Sequence, residues 1–292
     1  MKIVQGEELQ WERGLEYRGG IFHFRRLLEG EPGGIDNFQL SLGRMSGEFY
    51  SPRHHHNFEQ VRFQLEGELD FARDGKMKTG MVGYFPEGAF YGPQSQDPAT
   101  TPMTVVLQCG GASGSGYLSR DEVKAGMDAL KAEGEFKDGV FRRAKDVPGK
   151  RNMDGYQAIW EHVNKRPMVY PKPRYSRPFM MDPAHYEWVP VADARGVSEK
   201  MLGVFTERRT VARVVKLEPG ASFEAQGRGI YFVTKGQGKV EDQRLERLTT
   251  IYVNRGERAR ITAQDTVEML HLGLPDLSGI SSGSDVSAVA AE

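Results

Sequence analysis

Three adjacent histidines, His54, His55 and His56, hold three of the seven imidazoles in the chain, and Glu59 and Gln60 follow within four residues. In an extended segment alternate side chains share a face. His54 and His56 therefore point one way and His55 the other. Gln60 joins the first pair if the alternation carries across Asn57 and Phe58. Two imidazole nitrogens and an oxygen converging from one strand outline a site for divalent iron, manganese, nickel or zinc; calcium and magnesium want oxygen shells. Glu59 is the competing ligand, because it brings charge and a local bulge would turn it inward. It is also a candidate to move protons. The tripeptide is too short and too internal for a polyhistidine tag.

The same alternation sets Arg62 and Gln64 on the face of Gln60 and leaves Val61, Phe63 and Leu65 to pack on the other. An arginine turned into a small interior is costly unless paired. One reading makes Arg62 a clamp for a carboxylate or enolate on a substrate. The other gives it an internal ion pair with Glu48 or Glu87. Gln64 and Tyr50 are the further substrate-binding candidates, with Phe49 and Phe90 as aromatic walls near the mouth.

These residues fall into a recognisable pattern. Gly47 is followed by His54-x-His56, then by Gln60 three residues after the second histidine, then by Gly67 six residues later. A second stretch runs from Gly80 through Pro86-x-Gly88 to Tyr91. The pair resembles the two motifs of the cupin superfamily, with one extra residue in the opening gap and Tyr91 where the family places its last histidine ligand. The resemblance implies a jelly-roll barrel, supports Gln60 over Glu59 as ligand on spacing, and makes Tyr91 a catalytic candidate that either completes the metal sphere as phenolate or points its hydroxyl at a bound ligand. A worn copy follows, in Leu217 to Phe223 with Gly229 to Gly238, and in Tyr252 to Ala259. Its ligand positions hold Gln226, Arg228 and Ala259, none suited to a transition ion. His271, alone in an apolar strand, reads as a packing residue.

The resemblance thus implies a mostly all-β chain of two double-stranded β-helix (jelly-roll) barrels, one equipped and one degenerate, with a homodimer as the expected assembly. It also implies three functions. The first is a metal-dependent oxygenase, with iron foremost, acting on a small oxygen-rich or carboxylate-bearing molecule. The second is a non-oxidative isomerase or lyase in which Tyr91, Glu59 or His55 moves protons. The third is a non-catalytic binder of a small molecule.

The elements that must position these groups read as short strands with turn punctuation. Phe38 to Leu42 alternates, and Asp74-Gly75 is a hairpin signal. Ser119-Arg-Asp-Glu122 is a capping box opening a helix to Glu133, with Val123, Met127 and Leu130 on one face. The expected divisions are an N-terminal barrel over 1–116, a helix and Pro/aromatic-rich strap over 117–183, the degenerate barrel over 184–275, and a disordered tail over 276–292. Thirty-nine basic against 40 acidic residues give no field that favours nucleic acid or an anionic membrane. The single cysteine, Cys109, sits in an apolar run and reads as a buried thiol. The first residues lack the apolar stretch of a signal peptide and no segment has membrane-spanning length, so a cytoplasmic protein is expected.

Overall fold

The computed structural model describes residues 1–14, 21–47, 49–111 and 113–280. Glu48 and the expected tail from Ser281 to Glu292 lie outside them. The described residues divide into two compact units, one drawn from 11–24, 29–180 and 277–280, the other from 1–10, 25–28 and 181–276.

In the first unit a seven-stranded sheet runs in the order Phe179–Met181, Val82–Phe85, Glu59–Glu66, Met103–Cys109, Phe38–Ser46, Ile21–Glu29, Glu12–Arg13. A four-stranded sheet has the order Tyr50–Ser51, Gln94–Ser95, Glu68–Asp70, Lys76–Lys78. Side chains of both meet in a core of Met45, Leu69, Phe71, Met77, Phe85 and Tyr91. Period-2 alternation with one face turned to a partner sheet is the physical basis of such a double-sheet barrel. The Asp74-Gly75 signal is used as expected: Gly75 takes φ +101°, and Glu68–Asp70 pairs with Lys76–Lys78 across it.

The helix spans Arg120–Leu130 with Ser119 as its cap. Ser119 Oγ accepts from the Glu122 amide at 3.3 Å, and the Ser119 amide donates to Glu122 Oε2 at 2.7 Å. Val123, Met127 and Leu130 are buried. The Pro/aromatic-rich strap expected after the helix holds more regular structure than its sequence suggests. Strands Gly134–Lys137, Val140–Arg143 and Asn152–Asp154 form a small sheet, and a second helix, Gly155–Asn164, is capped by the Asp154 carboxylate. Both helices bury apolar side chains in one cluster with Phe58 and Tyr117 of the barrel. The longest stretch of this region without regular structure runs from about residue 165 to 178.

The second unit repeats the plan. Its sheets run Lys2–Gln5, Thr249–Val253, Gly229–Lys235, Val267–Gly273, Val211–Leu217, Val197–Val204, Val189–Pro190, and Ser222–Gln226, Arg258–Ala263, Gly238–Val240, Gln243–Leu245. Strand for strand, this is the order of the first unit. Lys2–Gln5 completes the sheet by antiparallel pairing with Thr249–Val253, Lys2 opposite Tyr252. The first ten residues therefore belong with this unit and not with the N-terminal barrel of the sequence-based division. Likewise Leu277, placed in the expected disordered tail, is buried. The interior is filled by apolar side chains, among them Val215, Phe223, Tyr231, Val253, Ile261 and Met269.

Candidate functional site

Strand Glu59–Glu66 lies third in the first sheet, paired on one side with Val82–Phe85 and on the other with Met103–Cys109. Its alternation decides which side chains enter the barrel. Gln60 and Arg62 line a cavity of about 190 Å³ together with His54, His56, Tyr91 and Gln94. The histidine run reaches this cavity through a bridge to the segment after Val82–Phe85. The His54 amide donates to the Tyr91 carbonyl at 3.2 Å, the Tyr91 amide donates to the His54 carbonyl at 3.0 Å, and the Gly88 amide donates to the His56 carbonyl at 2.7 Å. Two motifs 35 residues apart in sequence are thereby held face to face.

At the centre, His54 Nε2 and His56 Nε2 stand 3.1 Å apart, and the Tyr91 hydroxyl lies 2.8 Å from His56 Nε2. His54 Nδ1 is 2.6 Å from the Pro52 carbonyl. A carbonyl only accepts, so this contact places the proton on Nδ1 and leaves Nε2 as the lone-pair nitrogen facing the cavity. Arg62 supplies the fixed charge. Its Nη1 donates to Gln94 Oε1 at 2.8 Å, and its Nη2 to Gln60 Oε1 and to the Tyr91 oxygen, each at 2.9 Å. Phe85 lies under the guanidinium at 4.4 Å from the ring centre.

Glu87, one of the two carboxylates considered as an internal partner for Arg62, pairs with Arg174 instead. Gln94 carries no motif signal of its own, although it follows Tyr91 by only three residues. Arg13 and Arg120 also line the cavity and were not anticipated. Arg120 opens a helix whose capping pattern was legible, yet nothing in the pattern says that the helix start faces a barrel mouth.

Other expected site residues are placed elsewhere. Glu59 points away from the histidines, as alternation without a bulge requires, and is fully buried on the outer side. The Tyr84 hydroxyl donates to its Oε2 at 2.5 Å. Arg174 lies 2.8 Å from Glu87 and 3.9 Å from Glu59, so one guanidinium faces two buried carboxyl groups. Burial first, and the charge of Glu87 second, push the Glu59 carboxyl up to about 8. Neither ligation nor catalysis in the cavity is open to it there. Gln64 is buried but accepts from Thr104 Oγ1 at 2.9 Å and donates to the Glu66 carbonyl at 2.8 Å, outside the cavity lining. Tyr50 is 49% exposed; its neighbours Phe49 and Ser51 line the cavity instead. Phe90 is also exposed, stacked on His55 on the opposite side from the site.

A transition ion would be held by His54 and His56, with Tyr91 beside them. Two ligands placed side by side on an ion at 2.0–2.1 Å bond lengths stand about 3 Å apart, the separation of the two Nε2 atoms. The Nδ1 bond to Pro52 is the kind of outer contact that orients a ligating imidazole. With Tyr91 donating to His56, both imidazoles would turn lone pairs toward the same point, an arrangement that a cation stabilises. Gln60 is differently engaged: its oxygen serves Arg62 at 2.9 and 3.2 Å. Among the described residues, no group of three or more His, Cys, Asp or Glu side chains is gathered as a metal site.

In the second barrel the corresponding positions do not converge. Gln226 is exposed, Arg228 donates to the Pro275 carbonyl at 3.1 Å, and Ala259 is buried in the apolar core. His271 stacks on Tyr231 and accepts from Arg213 Nε at 2.9 Å. Burial, then the arginine charge, depress its pKa to about 3, so it is a neutral packing residue.

Comparison with known proteins agrees with this architecture. Residues 176–272 match the family model of the ChrR cupin-like domain. Among solved structures, a presumed dioxygenase from Nostoc punctiforme superposes with TM-score 0.64 at 12% identity, covering 96% of this chain and 85% of that one. A presumed glyoxylate-induced protein from Pseudomonas aeruginosa gives 0.59 at 12% identity, covering 96% and 89%. Oxalate decarboxylase from Bacillus subtilis gives 0.54 at 11% identity, covering 94% and 76%. No curated protein matches the chain by sequence.

Proposed function

We propose that this chain, a two-barrel protein of the cupin fold, works through its first barrel as a metal-dependent oxygenase of small carboxylate-bearing molecules. The observation that carries the reading is the cavity itself. His54, His56 and Tyr91 converge on one point, and among the described residues the lining around them includes Arg13, Arg62 and Arg120 but no aspartate or glutamate. A bound divalent ion would supply Lewis acidity and a place to activate dioxygen. Arg62 would receive the carboxylate of the substrate through its planar fork, and Tyr91 would hold or deliver a proton at its hydroxyl. A volume near 190 Å³ suits a molecule of a few carbon atoms. The names of two structural neighbours, a presumed dioxygenase and an oxalate decarboxylase, are in keeping with such chemistry.

Metal analysis of protein purified without added metal, with an oxygen electrode and a panel of oxalate and short 2-oxo acids, tests this. About one iron per chain with oxygen uptake on one of these acids supports the reading. A metal-loaded protein that turns over an acid without oxygen uptake would make it a non-oxidative enzyme.

A second reading draws on Arg62. A guanidinium within 2.9 Å of Tyr91 favours an anion-binding barrel that works without metal. Binding of oxalate to EDTA-treated protein, measured by calorimetry, would favour this second reading. In either case Arg62→Met is expected to weaken oxalate binding roughly ten- to a hundredfold, the worth of charge-assisted hydrogen bonds. Unchanged binding would remove Arg62 from the site.

A further inference from the structure

His55, the histidine that faces away from the cavity, is held more tightly than its position requires. Its ring lies between Phe90 at 3.9 Å and Tyr170 at 3.5 Å, within 17° of parallel to both. Its Nδ1 is 3.1 Å from the Gly88 carbonyl.

Phe90 and Gly88 belong to the loop that ends in Tyr91, and Tyr170 to the irregular stretch after the second helix. That stretch is fixed to the same loop twice more. Arg174 pairs with Glu87, and the Pro171 carbonyl comes so close to Gly88 that a Cβ there would stand 2.2 Å from it. Gly88 also has φ +77°, a second reason for glycine. The loop is thus clamped from outside while its last residue reaches inside.

We propose that His55 is a positioning residue: as the middle plate of the Phe90–His55–Tyr170 stack, it fixes the loop that sets the Tyr91 hydroxyl 2.8 Å from His56 Nε2. A shift of the loop by a fraction of a bond length would be felt at that contact, because Tyr91 follows Phe90 directly. The proposal rests on the site reading only in taking Tyr91 as a site group.

The test uses full-length, EDTA-treated protein labelled with 3-fluorotyrosine. The Tyr91 resonance among the 11 tyrosines is identified by its loss in Tyr91→Phe. His55→Ala is expected to move that resonance, with the other tyrosines little changed. His55→Phe rebuilds the stack without the Gly88 contact and is expected to restore it. Tyr170→Ala removes the opposite plate and should reproduce the alanine result, which keeps the test open if His55→Ala does not fold. An unmoved Tyr91 signal in a folded His55→Ala or Tyr170→Ala protein overturns the proposal, as does a His55→Phe protein that behaves like alanine. No metal is present in any arm, so failure of the metal reading leaves this outcome untouched.

Discussion

His54→Ala and His56→Ala are each expected to empty the first barrel of transition metal, lowering affinity by more than roughly a hundredfold. Losing an outer contact to a ligand already costs ten- to a hundredfold, and here a direct ligand is removed from a set of two imidazoles and a phenol. His55→Ala should lose far less metal than either histidine change, since its ring faces Phe90 and Tyr170 and reaches the site only through the setting of Tyr91. Gln60→Ala should cost less than either histidine change, because the amide oxygen already serves Arg62. Elemental analysis of the four proteins, purified identically, checks the set. If His55→Ala were the one to lose metal, the strand direction would be inverted and the ligand assignment with it.

Glu59→Gln is expected to raise stability at neutral and alkaline pH. The carboxyl titrates near 8 in the folded chain, well above its ordinary value of 4.5. Below about pH 4.5 both folded and unfolded chains hold the proton, and the group has no effect on the balance. Between there and pH 8 only the folded chain holds it. Its contribution to stability therefore falls as pH rises across that window and levels off above it. Every tenfold difference in proton affinity between the folded and unfolded chains corresponds to about 1.4 kcal/mol, so the loss is several kcal/mol once the carboxyl has ionised in both. Glutamine keeps the shape and still accepts from Tyr84. Thermal melts from about pH 4.5 to pH 8.5 should show a Tm for the wild type that drops relative to Glu59→Gln by several degrees, at about 2–4 °C per kcal/mol. Parallel curves would mean that Glu59 is ionised in the folded protein.

The parts of this site that were legible in sequence are those governed by strand alternation. His54, His56, Gln60 and Arg62 share the cavity, and Glu59 departs from it, as period 2 dictates. Tyr91 was found by motif spacing, and the bridge to His54 is the reason the spacing works. Gln64 failed because the pairing of its strand slips beside Met103, where a bulge lets Thr104 and the strand end claim its amide. Tyr50 failed by one residue: Ser51, its neighbour, faces the cavity. The helix Gly155–Asn164 was hidden by the basic and proline-rich residues after it, although Asp154 is a good cap and Ile159 packs at helical spacing against the first helix. Arg13, Gln94 and Arg120 come from a strand edge, a short strand and a helix start. Only the folded chain brings such distant points to one cavity.

The pairing of Lys2–Gln5 with Thr249–Val253 has a consequence for biosynthesis. Lys2–Gln5 must wait for their place until Thr249–Val253, about 240 residues further along, has been made. Until then the first strand has no sheet to join. Closing so long a loop is a modest thermodynamic cost but a kinetic delay. A reporter or purification handle fused ahead of Met1 is therefore attached to the barrel built from the other end of the chain, and its effects should be sought in the folding of that barrel rather than in the histidine site.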